Sequence, residues 1–198
     1  MARTIAVDHD IKREHILQAA AKVFARSGFH GASMSQVAEA CGLSKPAIYH
    51  YYDGKEALLF DMLDGHLQKL RDRIVAVTSN GMAPDAHLRA VIVEVLLAYR
   101  GADNAHRVQT VDARVLPDEQ QAVLRSYQVE MIEHISTILR EVAPEVFDGD
   151  RRKLRATTMS IFGMLNWFYM WNDDDSEEAR ISYANLVADL TLNGVQGL

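Results

Sequence analysis

A short segment of the chain places side chains that donate hydrogen bonds beside side chains that are compact and apolar. Lys45 offers an ammonium group, Tyr49 a phenol and His50 an imidazole, and the first of these is followed by Pro46 and Ala47. Such donors suit phosphate oxygens, whereas small apolar groups can approach the methyl group of thymine. These residue types predict a surface that binds nucleic acid.

Two short helices must position this surface. Residues 33–36, Ser-Met-Ser-Gln, form a capping box that opens a helix through about Ala40. Gly42 ends that helix, and Ser44 can cap a following one that runs to about Tyr51. Helix, short turn and helix is the plan of a helix-turn-helix, whose second helix enters the major groove. The candidate DNA-binding residues are therefore Ser33, Ser44, Lys45, Pro46, Ala47, Tyr49, His50 and Lys55.

The same spacing has a second interpretation. A plain three-helix packing unit would use Tyr49 and Tyr52 as half-buried core residues and would bind nothing. Helix-turn-helix geometry occurs in proteins that never touch DNA, so spacing alone leaves both interpretations open. Salt-sensitive binding to duplex DNA would separate them, because neutralising phosphates makes affinity fall steeply with salt.

The charge distribution favours DNA binding by the amino-terminal part. The chain of 198 residues has a net charge of −6, but residues 1–56 hold seven Lys/Arg and six Asp/Glu, with four of the eight histidines. The remainder holds 14 basic and 21 acidic residues. An acidic remainder would oppose unspecific attachment to DNA and leave the amino-terminal part free to dock.

Several other classes of protein are disfavoured. No apolar run reaches the roughly 18 residues of a membrane span, and the early acidic residues oppose a signal peptide, so we expect a cytoplasmic protein. We find no Gly-rich phosphate loop, Gly-x-Ser-x-Gly elbow or His-Glu-x-x-His motif. Cys41 is the single cysteine, and three consecutive acids at 173–175 are more typical of a solvated turn than of a cation site. We predict no enzyme activity, no cofactor and no metal.

Apolar residues recur at three- and four-residue spacing nearly throughout, which predicts an all-α protein. The first helix should end at Gly28, and a long helix should run from about Lys55 to Thr78. Further helices are predicted at about 84–100, 103–115, 117–142, 151–172 and 176–193, with a loop at 143–150. This pattern divides the chain into a helix-turn-helix domain, 1–54, and a larger helical domain, 55–198.

The amino-terminal motifs resemble those of the TetR family of transcriptional regulators. The resemblance rests on Ile16–Ala20, Phe24, Gly28-Phe29, Ser33–Ala38, Gly42–Tyr52 and Lys55–Leu58, which follow one another with the expected gaps. Tyr52 stands where Phe is commoner, and Asp53-Gly54 stands where Pro or Ser often precedes the lysine. The resemblance implies a homodimeric, usually repressing, DNA-binding protein whose second domain holds a small-molecule pocket.

The carboxy-terminal domain contains a segment suited to dimerisation. Residues 161–171 include one strongly polar side chain, Asn166, and a helix that is apolar all round must be covered on more than one side. A partner subunit would supply that cover, together with the helix at about 176–193. The candidate interface residues are Ile161, Gly163, Trp171, Leu186 and Leu190.

The same segment resembles the second domain of TetR-type regulators that sense acyl-coenzyme A thioesters. Such a ligand needs an apolar slot and cations near its phosphates, and arginine suits phosphate. The candidate pocket residues are Arg100, Arg107, Arg114, Met164, Asn166, Trp167 and Phe168. The alternative is that the aromatic residues form core and the arginines form a solvated, charge-balanced face.

The combined prediction is a ligand-responsive regulator, a repressor, that binds a near-palindromic operator as a homodimer. A small apolar effector, for which an acyl-coenzyme A thioester is one candidate and a free apolar acid another, would release it from DNA. Two alternatives remain: a helical dimerisation module, and an activator-type regulator without a small-molecule effector.

Overall fold

The computed structural model describes residues 2–195, and most of this backbone is helical. No strand occurs within that range, so the predicted all-α class is confirmed. The helices are α1 (Ala2–Gly31), α2 (Met34–Ala40), α3 (Lys45–Tyr51), α4 (Lys55–Val75), α5 (Pro84–Tyr99), α6 (Asp103–Asp112), α7 (Asp118–Val142), α8 (Pro144–Phe147), α9 (Arg151–Asn166), α10 (Phe168–Trp171) and α11 (Glu177–Val195). A 3-10 turn, Ala113–Val115, lies between α6 and α7.

The chain divides into two compact units. The first unit runs to Leu67 and includes Ala102–Leu124, and the second unit holds Gln68–Gly101 and the described chain from Arg125 onward. Helices α4 and α7 each begin in the first unit and end in the second. The predicted functional boundary at residue 54 is a different division and stays a prediction.

The first unit has its core on one face of α1 and on the helices packed against it. Gly28 has φ 67° and ψ 159°, which interrupts the regular helix where its end was predicted. Helix α6 packs along α1, and α2 contacts both α1 and α3. The most deeply buried apolar side chains include Ile16, Ala20, Phe24, Val37, Ile48, Leu58, Leu59 and Leu63.

The second unit is built around the packing of α5 on α11. Arg89 of α5 donates to the Asp189 carboxylate at 2.5 Å and to the Asn185 side-chain oxygen at 3.2 Å, beside the buried contact. The buried apolar residues of these two helices include Leu88, Val91, Ile92, Val95, Ala184, Val187 and Ala188.

Two predicted elements differ from the structure. The helix expected over 151–172 is broken at Trp167, and the following turn buries Phe168, whose ring stacks on Tyr183 with 5.2 Å between centroids. The loop expected over 143–150 contains α8, which begins at Pro144 and is anchored by the buried Phe147 ring.

Among the described residues, none of the helices combines the length and the apolarity that crossing a bilayer requires.

Candidate DNA-binding surface

The helix-turn-helix forms as its caps predict. Ser33 accepts a hydrogen bond from the backbone N–H of Gln36 at 3.3 Å, and its own backbone N–H donates to the Gln36 side chain at 2.8 Å. Gly42 turns the chain with φ 65°, a left-handed conformation that glycine adopts readily. Ser44 then accepts from the N–H of Ala47 at 3.3 Å and caps α3. The Ser33 hydroxyl and the Ser33 N–H, which were predicted to face DNA, thus both bond to Gln36 within the capping box.

Helix α3 is anchored on one side and exposed on the other. Ile48 is fully buried, so the contact with the unit's core lies on its side of the helix, and Ala47 remains partly exposed. Most of the residues predicted to face DNA are exposed, namely Ser44, Lys45, Pro46, Tyr49 and His50. The first unit therefore presents exposed hydrogen-bond donors along α3.

The two tyrosines that could have been core residues have different environments. Tyr49 is 44% exposed, as a DNA contact requires, whereas Tyr52 is only 8% exposed. The Tyr52 hydroxyl donates to the Asp61 carboxylate at 2.5 Å, and burial together with this carboxylate raises the pKa of the phenol. The packing interpretation thus describes Tyr52 and not Tyr49.

Lys55 is placed differently from the phosphate contact that was predicted. Its ammonium donates to the carbonyl oxygens of Phe29 at 3.0 Å, of His30 at 3.4 Å and of Ala32 at 3.4 Å. It also lies 4.5 Å from the centroid of the Phe29 ring. Three carbonyl acceptors take up its three N–H donors, so Lys55 joins α4 to the end of α1 instead of facing DNA.

Sequence reasoning missed a second set of contacts in this unit. The Arg13 guanidinium donates two hydrogen bonds to the Asp61 carboxylate, from Nε and Nη2, and the distance from Nε to Oδ2 is 3.0 Å. The His9 ring stacks on the Tyr51 ring with 4.9 Å between centroids. The identities of His9 and Arg13 gave no signal for these contacts, because their partners lie about 40 residues or more further along the chain.

The second unit exposes large apolar side chains from α9, α10 and α11. Trp171 is 55% exposed, Leu186 is 50% exposed and Leu190 is 56% exposed, and Gly163 is also exposed. All four are candidate dimer residues. Other exposed apolar side chains lie nearby in the chain: Met159 on α9, Trp167 between α9 and α10, and Met170 on α10. Ile161 is the exception, because it is 1% exposed and already packs inside its own chain. Its assignment to a subunit interface is therefore corrected to a core position.

The three candidate ligand-binding arginines do not share one environment. Arg107 and Arg114 are exposed in the first unit. Arg100 belongs to the second unit and pairs with Glu177 at 2.9 Å, with both side chains half-exposed. The charge-balanced interpretation therefore fits Arg100, whose guanidinium already faces a carboxylate.

The other candidate pocket residues take part largely in internal packing of the second unit. Asn166 accepts a hydrogen bond from the buried Tyr99 hydroxyl at 2.6 Å, and burial raises the pKa of that phenol. Phe168 is buried against Tyr183, while Trp167 is 56% exposed and Met164 is half-buried. Asn166 and Phe168 thus have partners within the chain, and their assignment to a ligand pocket stays a prediction.

Histidine pairs are a further feature that the sequence did not predict. His66 lies with its ring centroid 6.5 Å from that of His106 in the first unit, and His87 lies 5.9 Å from His134 in the second. Within the described part of the chain, no group of three or more His, Cys, Asp or Glu side chains is arranged to hold a metal ion.

Comparison with protein families identifies both parts of the chain. Residues 16–62 match the family model for bacterial regulatory proteins of the tetR family, and residues 81–195 match the tetracyclin repressor-like C-terminal domain. The transcriptional repressor KstR2 of Rhodococcus jostii is 24% identical over 131 residues, which cover 66% of this chain and 61% of that protein. The chain spans about a third to three fifths of the length of the first curated relatives it matches.

Solved structures agree with this assignment. A TetR-family regulator from Bordetella parapertussis is 32% identical, with a TM-score of 0.85 over 94% of this chain and 96% of that chain. AibR in complex with isovaleryl coenzyme A and operator DNA is 20% identical. The match covers 91% of this chain and 98% of the AibR chain, with a TM-score of 0.76. FadR of Bacillus subtilis in complex with stearoyl-CoA is also 20% identical. The match covers 91% of this chain and 97% of the FadR chain, with a TM-score of 0.69. The last two show the shared fold.

With both family models matched and the exposed helix α3 in place, the chain belongs to the TetR family of bacterial transcriptional regulators.

Proposed function

We propose that this regulator is a homodimeric repressor that binds a near-palindromic operator and leaves it when a small apolar effector binds. The observation that carries the proposal is the exposed surface of α3, which includes Lys45, Tyr49 and His50, while Ile48 of the same helix is buried. A transcriptional repressor acts on the chromosome, so we assign its action to the cytoplasm.

Helix α3 would dock with its first turn in the major groove. Lys45 and Ala47 lie in that turn, where recognition helices contact base edges. Lys45 can donate to guanine, and Ala47 can contact a thymine methyl group. Tyr49 and His50 would donate to phosphates and fix the position of the helix on the duplex. Reading and positioning are therefore divided between the start and the end of α3.

A second copy of the chain would cover the exposed apolar side chains of α9, α10 and α11. Soluble monomers rarely expose contiguous apolar patches, and large apolar side chains exposed on neighbouring helices favour a partner surface. A two-fold axis through this surface would pair Trp171, Leu186 and Leu190 with the same residues of the partner. It would also present two recognition helices about one DNA turn apart, which matches a near-palindromic operator.

The proposed effector is an acyl-coenzyme A thioester. AibR binds isovaleryl coenzyme A and FadR binds stearoyl-CoA in their solved structures, and this chain shares the fold of both proteins. Arg107 and Arg114 are exposed, and their guanidinium groups could bind the phosphates of coenzyme A.

Release from the operator would follow from differential binding. The effector would fit only the form of the dimer whose recognition helices are misplaced for adjacent grooves. Couplings of this kind are typically worth about 1–3 kcal/mol, so a saturating effector should weaken operator binding roughly 5–150-fold. Operator DNA must then weaken effector binding by the same factor.

A titration against the protein–operator complex tests the effector. Acyl-coenzyme A species of several chain lengths and the matching free acids are added at fixed salt, and the fraction of bound operator is measured. Release by at least one thioester supports the proposal. Release by free acids and by none of the thioesters would remove coenzyme A from it and leave an apolar effector.

A further inference from the structure

We propose that His9 and Arg13 of α1 are positioning residues for DNA recognition. They hold the carboxy-terminal end of α3 in place and so determine how sharply the protein distinguishes its operator from other sequences. The inference rests on the proposed function and assigns a role to two residues that precede the part of the chain matched by the family model, residues 16–62.

The first contact is the stack between His9 and Tyr51. The ring centroids are 4.9 Å apart and the ring planes are inclined by 26°, so the imidazole covers one face of the phenol. Tyr51 is the last residue of α3, and the ring of the preceding residue, His50, meets its edge at 5.9 Å. His9 therefore limits where the end of α3 can move.

The second contact is a chain of charge-assisted hydrogen bonds. Arg13 holds the Asp61 carboxylate in a fork, and the same carboxylate accepts a 2.5 Å hydrogen bond from Tyr52. Tyr52 is the C-cap residue of α3, directly after Tyr51, and its backbone N–H donates to the carbonyl oxygen of Ile48 at 3.0 Å. Asp61 therefore joins α1, the end of α3 and α4 through one side chain.

The two contacts act at one place. His9 and Arg13 are four residues apart and so lie on one face of α1, while Tyr51 and Tyr52 are consecutive. The Asp61 bond requires the Tyr52 hydroxyl, which the commoner phenylalanine at this position lacks. We call His9, Arg13, Tyr51, Tyr52 and Asp61 the α3 clamp.

The clamp should affect specific binding more than unspecific binding. Base-edge contacts require the recognition side chains to be held within about 0.5 Å of their productive positions, whereas unspecific attachment depends on the number of neutralised phosphates. Loosening the end of α3 removes no cation from the exposed α3 face. The ratio of operator affinity to random-duplex affinity is therefore the quantity that the clamp controls.

The test measures this ratio and its salt dependence for four variants. Tyr52→Phe removes only the hydroxyl that reaches Asp61, and Arg13→Ala removes the fork. His9→Ala removes the stack, and His9→Phe keeps a ring in its place. Lys12→Ala is the matched control, because it deletes a neighbouring positive charge of α1. The probes are a duplex selected by the wild-type chain from a random pool and an unrelated duplex of equal length.

The proposal predicts that Tyr52→Phe lowers the affinity ratio by about threefold or more, the effect of one lost hydrogen bond. It leaves affinity for the unrelated duplex and the salt slope unchanged. Arg13→Ala and His9→Ala should also lower the ratio, and His9→Phe should restore it. An equal loss on both duplexes with a shallower salt slope would mean direct phosphate contact and would overturn the proposal. An unchanged ratio in Tyr52→Phe and His9→Ala would also overturn it.

Amide hydrogen exchange separates this inference from the proposed function. A wild-type chain that selects no common sequence contradicts the proposed function, yet exchange at the end of α3 still tests the clamp. Faster exchange of the Tyr52 amide in Tyr52→Phe and His9→Ala, with unchanged exchange in the α5–α11 core, supports it. Unchanged exchange at Tyr52 would contradict it.

Discussion

The Lys55 ammonium donates a 3.0 Å hydrogen bond to the carbonyl oxygen of Phe29 and lies 4.5 Å above the centre of the Phe29 ring. The carbonyl is at the end of α1, where helical backbone leaves acceptors unsatisfied and the helix dipole favours a positive charge. Lys55 therefore satisfies the end of one helix while beginning another, which is a structural role in the DNA-binding part of the chain.

Replacing Lys55 with alanine should lower the free energy of unfolding. Hydrogen bonds that involve a charged group contribute about 1.5–3 kcal/mol each, and partial exposure reduces this, so we expect a net loss of about 1–2 kcal/mol. Urea unfolding measures the change. Lys45→Ala is the control, because Lys45 is exposed on α3 and its loss should leave the unfolding midpoint unchanged. Equal stability of the Lys55→Ala and wild-type chains would contradict this role.

Changes in the first turn of α3 should alter which DNA sequence is preferred. Lys45→Ala removes a donor that suits guanine, and a correct base contact is worth about 1–3 kcal/mol of discrimination. Ala47→Ser should shift the base preference at a different base pair, because the methyl group of Ala47 suits the methyl group of thymine and a hydroxymethyl group does not. Selection from random duplexes with each variant measures both effects. Identical selected sequences for wild type and both variants would show that this turn does not read bases.

A charge placed in the exposed apolar surface of the second unit should separate the proposed dimer. Trp171→Glu and Leu190→Glu each put a carboxylate where the partner's apolar side chains would pack, and burying an unpaired charge is costly. Light scattering at micromolar concentration should give a dimer for wild type and a smaller mass for both variants. Val111→Glu on α6 is the control, since Val111 is 65% exposed outside these helices. A monomeric wild-type chain would refute the dimer.

Stability should fall as the pH drops through the range in which free histidine titrates. Burial, together with the neighbouring His87, lowers the pKa of His134, while a hydrogen bond with the Val77 backbone and the charge of Glu141 act in the opposite direction. Near pH 6.5 the unfolded chain then binds a proton at His134 that the folded chain does not bind. The free energy of unfolding therefore falls by at most about 1.4 kcal/mol for each pH unit. Urea midpoints between about pH 5.5 and 7.5 measure this slope. His134→Gln should flatten it, and an equal slope in this variant would exclude His134 as its origin.

The local signals in the sequence predicted the DNA-binding part well. The capping box at Ser33, the N-cap at Ser44 and the breaks at Gly28 and Gly42 all form as expected. Each depends on residues within a few positions of one another, so short-range hydrogen bonding and backbone preference determine them.

Contacts between distant residues were not predictable in the same way. Lys55 was expected to face phosphate, yet its donors meet carbonyls about 25 residues earlier in the chain. Ile161 was expected at a subunit interface, yet it is buried in its own unit, because an apolar helix pattern does not say which face its own chain covers. The break at Trp167 likewise carries no proline or glycine signal and accompanies the burial of Phe168 against Tyr183.

Selection of duplexes from a random pool by the wild-type protein, followed by affinity measurements at increasing salt, tests whether the chain is a sequence-specific operator-binding protein. We expect one enriched near-palindrome with half-sites about one turn apart. Its logarithmic affinity should fall linearly with the logarithm of salt concentration, by about 0.9 for each neutralised phosphate. Enrichment of no sequence, or an affinity for duplex DNA that is independent of salt, would contradict operator binding by this chain.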